Sequence, residues 1–101
     1  MADTVDRSKG NETDTIRVRY WAAAKAAAGT SEDVLPVDGP LTLAQVRDRA
    51  LDLHPGADRL ADILRTCSTL VGDRPTGTND PDATVVAPGS SVEFLPPFAG
   101  G

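Results

Sequence analysis

The run Ser91-Val92-Glu93-Phe94-Leu95-Pro96-Pro97-Phe98-Ala99-Gly100-Gly101 closes the sequence and decides how the rest is read. Its first five residues alternate and form a strand with Val92 and Phe94 on one face. A central place in a sheet would make that strand a rigid base for whatever follows. The next six residues are unlike an ordinary frayed terminus. Pro96 and Pro97 hold φ near about −65° and stiffen the exit from the strand. Phe98 is one of two phenylalanines in the chain, set where a tail is normally polar. Gly100 and Gly101 have no side chains, so they enter spaces too narrow for anything bulkier. From Leu95 to Gly101 an extended backbone reaches roughly 20 Å, at about 3.3–3.6 Å per residue. That length carries a carboxylate well into another protein's active site. The α-carboxylate of Gly101 is therefore the candidate functional group.

Outward from this end, Pro88-Gly89 reads as a turn and Thr84-Val85-Val86 as a brief extended run. Thr76 to Asp82, with Gly77, Asn79 and Pro81, reads as a loop. Gly72-Asp73-Arg74-Pro75 turns the chain after a short strand, Cys67-Ser68-Thr69-Leu70-Val71. Ala57 to Arg65 holds Leu60, Ala61, Ile63 and Leu64 and is expected to form a short helical turn. The clearest helix start is Leu41-Thr42-Leu43-Ala44-Gln45, where Thr42 as N-cap and Gln45 at N3 make a capping box. This helix is expected to run to about Leu53. Leu43, Val46, Ala50 and Leu53 form its buried stripe, and Arg47, Asp48, Arg49 and Asp52 its wet face. His54-Pro55-Gly56 ends it, and His54 is expected to cap it or interact with its dipole.

Two strand-like runs lie further back. In Glu32-Asp33-Val34-Leu35-Pro36-Val37, Pro36 cannot donate to a ladder, so this is an edge strand or a strand end. In Thr15-Ile16-Arg17-Val18-Arg19-Tyr20-Trp21, Ile16, Val18 and Tyr20 face one way, opposite Arg17, Arg19 and Trp21. The arginines are expected on its wet face. Trp21 is expected in the core beside the helix that follows, Ala22-Ala23-Ala24-Lys25-Ala26-Ala27-Ala28, which alanine's high propensity favours. Gly29 is its C′ residue. Lys25 is expected on the solvated face. A hairpin-like pairing of the two strands across this helix completes the first half. Residues 1–14 are polar and charged and are expected to be a disordered tail. The order, with strands grouped at both ends around one main helix, predicts an α+β roll: a small mixed sheet with the Thr42–Leu53 helix packed across one face.

With 101 residues the chain is expected to fold as one domain, and its 40% apolar content allows a modest core. The net charge of −5 argues against a nucleic-acid partner and for a protein partner with a positive surface. The lone Cys67 permits no internal disulfide and is expected to pack as a small apolar group. No run is long and apolar enough for a membrane span, and the N-terminus lacks a signal-peptide pattern. These features lead to the expectation of a soluble, cytoplasmic protein with no membrane or nucleic-acid partner. Leu70 and Leu95 are either core residues or a docking patch on the sheet.

The sequence resembles the ubiquitin-like, β-grasp sulfur carriers, which include the small subunit of molybdopterin synthase and the thiamine-biosynthesis carrier. The likeness covers Thr15 to Gly101. Three pieces carry it: a strand ending in an aromatic followed by an alanine-rich helix and glycine (Ile16–Gly29), the Leu41-Thr42-Leu43-led helix, and the ending. That ending is a Pro-Gly turn, a Val-x-Phe-Leu strand, Pro96-Pro97 and the terminal Gly100-Gly101, closer to the molybdopterin synthase subunit than to the thiamine carrier. The sequence departs from the pattern at Ser90-Ser91, at the long Thr76–Asp82 loop and in residues 1–14. The resemblance implies a β-grasp domain over residues 15–95 and an extended functional tail over residues 96–101. It also implies a chain that is not itself an enzyme and binds no cofactor or metal. A partner adenylating enzyme would use ATP and magnesium to activate the Gly101 carboxylate. A sulfur donor such as a cysteine desulfurase or rhodanese would then leave a thiocarboxylate. In molybdenum-cofactor biosynthesis, the large catalytic subunit of molybdopterin synthase would receive the tail, with Pro96, Pro97, Phe98, Ala99 and Gly100 as its contacts. Thiamine or cysteine biosynthesis, and covalent modification of proteins, are the alternatives.

Overall fold

The structure, a computed structural model, describes residues 14–97 of the 101-residue chain. The elements are β1 (Thr15–Tyr20), α1 (Ala22–Ala28), β2 (Glu32–Pro36), β3 (Leu41–Thr42), α2 (Leu43–Asp52), α3 (Asp58–Thr66), β4 (Ser68–Val71), β5 (Arg74–Pro75), β6 (Val85–Val86) and β7 (Ser91–Leu95). Five strands form one sheet in the order β2-β1-β7-β4-β5, and β3 and β6 form a separate two-stranded ribbon. β1 and β7 run parallel at the centre, and the other pairs are antiparallel. The sheet is therefore mixed, as expected.

Period-2 alternation decides which face is covered. Ile16, Val18 and Tyr20 of β1 and Val92 and Phe94 of β7 are buried beneath the helices. Leu43, Val46 and Ala50 of α2 and Leu60 and Leu64 of α3 complete the core with Ala24, Leu35 and Val86. Full burial of a Val, Leu or Ile side chain stabilises by about 1.5–3 kcal/mol.

β1 turns straight into α1. Ala22 takes φ 49°, a left-handed conformation in which it presents only a methyl group. Gly29 at φ 77° closes the helix, donating its N–H to the Lys25 carbonyl at 2.9 Å. β2 is an edge strand ending at Pro36, and its pairing with β1 is extended by the Val37 N–H, which donates to the Asp14 carbonyl at 2.9 Å.

The capping box of α2 is present. Thr42 Oγ1 accepts from the Gln45 N–H at 3.1 Å, and Gln45 Oε1 accepts from the Thr42 N–H at 2.9 Å. Leu53 departs from expectation. It is the residue after the last helical turn, the chain bends there toward Pro55 and Gly56, and its side chain is exposed. α3 is a second departure, a nine-residue helix rather than a short turn. Leu60 and Leu64 bury one face of it, while Asp58 in its first turn and Arg65 in its last complement the dipole. Its N-cap, Ala57, makes no side-chain hydrogen bond, so the sequence carries no start signal for it. Cys67 ends α3 instead of opening β4, and Arg74–Pro75 pair back onto β4 after the Gly72 turn. Among the described residues no helix is long and apolar enough to cross a membrane.

Candidate functional site

The site expected from the sequence lies at the end of β7. Pro96 is half-buried and Pro97 exposed, just past the strand. Phe98, Ala99, Gly100 and Gly101 lie outside the described residues. The root of the tail is held from both sides, with Phe94 opposite Tyr20 of β1 and Leu95 opposite Ser68 of β4. The Trp21 N–H donates to the Phe94 carbonyl at 3.2 Å, carrying the parallel pairing one residue beyond β1.

Under the root, Phe94 stacks on Tyr20 with ring centroids 6.3 Å apart and planes at 13°. Tyr20 meets the His54 ring edge-on at 5.9 Å. The Tyr20 hydroxyl donates to Asp33 Oδ2 at 2.7 Å, and His54 Nε2 lies 2.6 Å from the same oxygen. Burial first, then the hydrogen bond to Asp33 and its charge, push the Tyr20 phenol up, so it stays a donor. His54 is thus not the simple helix cap that the sequence suggested. It ties the end of α2 to β2, across a cluster that also clamps the aromatic layer under β7.

The other face of the sheet has no helix over it, and none of its side chains is buried. The strand registers place Glu32, Arg19, Glu93, Leu70 and Pro75 in one row across all five strands. Arg17 Nε and Arg19 Nε lie 3.3 and 3.9 Å from the Glu32 carboxylate. Trp21, expected in the core, is 42% exposed here. Its indole N–H donates to Glu93 Oε1 at 2.9 Å, and the Arg19 guanidinium sits 5.3 Å from its ring centroid. The signal was present in the sequence, since Trp21 alternates in phase with Arg17 and Arg19, and phase outranks side-chain type here. Leu70 and Leu95 are half-buried on this same face, beside the tail's exit.

Cys67 packs against the core and its S–H donates to the Ile63 carbonyl at 3.2 Å. Burial pushes its thiol up to about 11, so it carries little thiolate at neutral pH. Lys25 is exposed on α1. Among the described residues, no group of three or more His, Cys, Asp or Glu side chains is placed to hold a metal ion.

No protein-family model matches the chain, and no curated protein matches its sequence. Solved structures do match. The Haloferax volcanii HVO 2177 protein is 26% identical, with a TM-score of 0.66 and 86% of each chain covered. Small archaeal modifier protein 1 from Haloferax volcanii is 19% identical, with a TM-score of 0.69 over 86% of this chain and 99% of that one. A chain of the complex of subunits 1 and 2 of the molybdopterin-converting factor from Helicobacter pylori is 21% identical, with a TM-score of 0.55 over 86% and 99%. The fold is the ubiquitin-like β-grasp, of the type found in the sulfur carriers that the sequence resembles.

Proposed function

We propose that this chain is a sulfur carrier whose working group is the Gly101 carboxylate, and that it serves as the small subunit of a molybdopterin synthase. One observation carries the reading. The tail that ends in Gly100-Gly101 continues from a central strand locked between two neighbours and floored by the Tyr20–Phe94 stack. A rigid base and a side-chain-poor tip suit a group that must be presented to enzymes.

An α-carboxylate, with an ordinary pKa of about 3.3–3.7, is ionised and a poor electrophile at neutral pH. Attack of a carboxylate oxygen on the α-phosphorus of ATP expels pyrophosphate and gives an acyl-adenylate. A sulfide-level nucleophile then adds to the carbonyl, AMP leaves, and a thiocarboxylate remains. With a persulfide donor, the acyl disulfide first formed is cleaved by a thiol. The activating enzyme and the donor do this chemistry, with magnesium on the nucleotide. This chain supplies the carboxylate and leaves its surroundings clear through Gly100. Pro96 and Pro97 lessen the entropy lost when a partner's channel orders the tail. Phe98 is an apolar anchor in that channel. The similarity to a chain of a two-subunit converting factor supports a large catalytic subunit as the partner. Leu70, Leu95 and Trp21 would meet that partner beside the tail.

The test is intact-mass measurement after incubation with a cognate activating enzyme, ATP and a sulfur donor. A gain equal to replacement of one oxygen by sulfur supports the carrier, and no adduct of any kind sinks it. Co-purification of the large subunit assigns the molybdenum-cofactor route, and capture of a thiamine or cysteine pathway enzyme instead reassigns it. A second reading, covalent modification of proteins through the same activated carboxylate, is favoured by the likeness to small archaeal modifier protein 1. Higher-mass conjugates in lysate that vanish when Gly101 is deleted would support it.

A further inference from the structure

Beneath the loop of residues 76–82 lies a cleft of about 160 Å³, walled by α2, the end of α3, that loop and the core face of the sheet. Arg47 and Arg65 both line it, with Asn79, Thr76 and Cys67, and Phe94 lies at its inner wall. No aspartate or glutamate lines it, in a chain whose net charge is −5. The guanidinium of the half-buried Arg47 has no hydrogen-bond or ion-pair partner among the described residues. Arg65 uses one N–H on Asp62 at 2.6 Å, with both side chains largely exposed, an arrangement that water screens. A guanidinium has five N–H donors, so most of both forks remain open. Two other polar groups in the wall already have partners. The Thr76 hydroxyl donates to the Thr69 carbonyl at 3.4 Å and the Cys67 thiol donates to Ile63. The Asn79 side-chain amide has no partner among the described residues. The roof is fixed in advance, because the Leu43 N–H donates to the Thr84 carbonyl at 2.8 Å and the Ala44 N–H to the Pro81 carbonyl at 3.1 Å.

We propose that this cleft binds a small oxyanion of the phosphate, sulfate or carboxylate kind, held between Arg47 and Arg65 with the Asn79 amide as a third donor. Paired guanidinium forks match oxyanion geometry, and such charge-assisted bonds are the strong ones. The inference goes beyond the carrier reading and does not depend on it. One chemistry here has two sources, a free inorganic oxyanion or the chain's own terminal carboxylate. Phe94 lines the cleft and Leu95 pairs with Ser68, three residues on from Arg65, so β7 ends within a few residues of its wall. The four residues after Pro97 span at most about 14 Å.

The experiment follows amide and arginine Nε shifts of the ¹⁵N-labelled full chain during titration with inorganic phosphate, against sodium chloride at matched ionic strength. Saturable shifts confined to residues 47, 65–67 and 76–79 are expected with phosphate and not with chloride. Arg47→Gln and Arg65→Gln, each checked for an unchanged unfolding midpoint, should each weaken binding about tenfold or more. The same chain carrying a carboxamide at Gly101 separates the sources. Equal phosphate affinity identifies a free ion. Tighter phosphate binding, together with Arg47 and Arg65 shifts before any phosphate is added, identifies the terminal carboxylate. No saturable shift in either chain, or equal shifts with chloride, overturns the site.

Discussion

The two faces of the five-stranded sheet are made by the same strands and have opposite chemistry. On one face Ile16, Val18, Tyr20, Val92 and Phe94 are sealed under three helices. On the other, Arg17, Arg19, Trp21, Glu93 and Leu95 stay open, joined by surface ion pairs and one indole hydrogen bond. Neighbouring residues on one strand thus divide the work. The covered face holds the tail's root rigid through apolar burial. The open face adds little to stability, since exposed ion pairs are worth about 0–1 kcal/mol, and is left available for contact. β7, which Pro96 and Pro97 follow, contributes residues to both faces.

Variants at the tip and on each face test that division. The largest effect should come from the tail tip. One residue added after Gly101 turns its carboxylate into an amide, so sulfur loading should vanish while the unfolding temperature is unchanged. Loading by an extended chain shown to remain uncleaved would contradict this. On the covered face, Phe94→Ala removes the stack on Tyr20 and should destabilise the fold by about 3–5 kcal/mol, read from the urea midpoint. A loss below about 1 kcal/mol would show that the root is not held by this layer.

Cys67 tests the covered side by reactivity. Its thiol is raised from an ordinary 9.0 to about 11 by burial, so the folded state favours the protonated form. That contribution to stability is fully present below pH 9.0 and is lost as pH rises through about 11. At pH 8, alkylation by iodoacetamide should be slower in the folded chain than in urea by roughly tenfold or more. Equal rates would place the thiol in solvent. The smallest effect on the fold should come from Trp21→Ala on the open face, under about 1 kcal/mol in urea. The same change should weaken binding of the partner that takes the tail by roughly tenfold. Unchanged affinity would remove Trp21 from the docking surface.

Much of this was legible in the sequence, because the signals were local. The alternation of β1 and β7, the capping box at Thr42, the Gly29 helix end and the edge position of Pro36 are each written within a few residues and each recur in the structure. What was not legible depended on neighbours distant in sequence. α3 has no capping residue to announce it and is held by packing Leu60 and Leu64 into the core. Trp21 looked like core because it is large and apolar, yet its strand phase and the Arg19 and Glu93 partners set it outside. His54 reads locally as a helix end, and only the approach of β2 supplies Asp33 as its partner.

Local sequence signals set the alternation of β1 and β7, the capping box of α2, the Gly29 helix end, and an ending whose last two residues lack side chains. Those follow from backbone preference and side-chain volume, which act over a handful of residues. Only the tertiary structure decided that β7 lies between β1 and β4, which face stays bare, and that Arg47 and Arg65 share one cleft. Those depend on which distant segments exclude water together, and no local pattern encodes that choice.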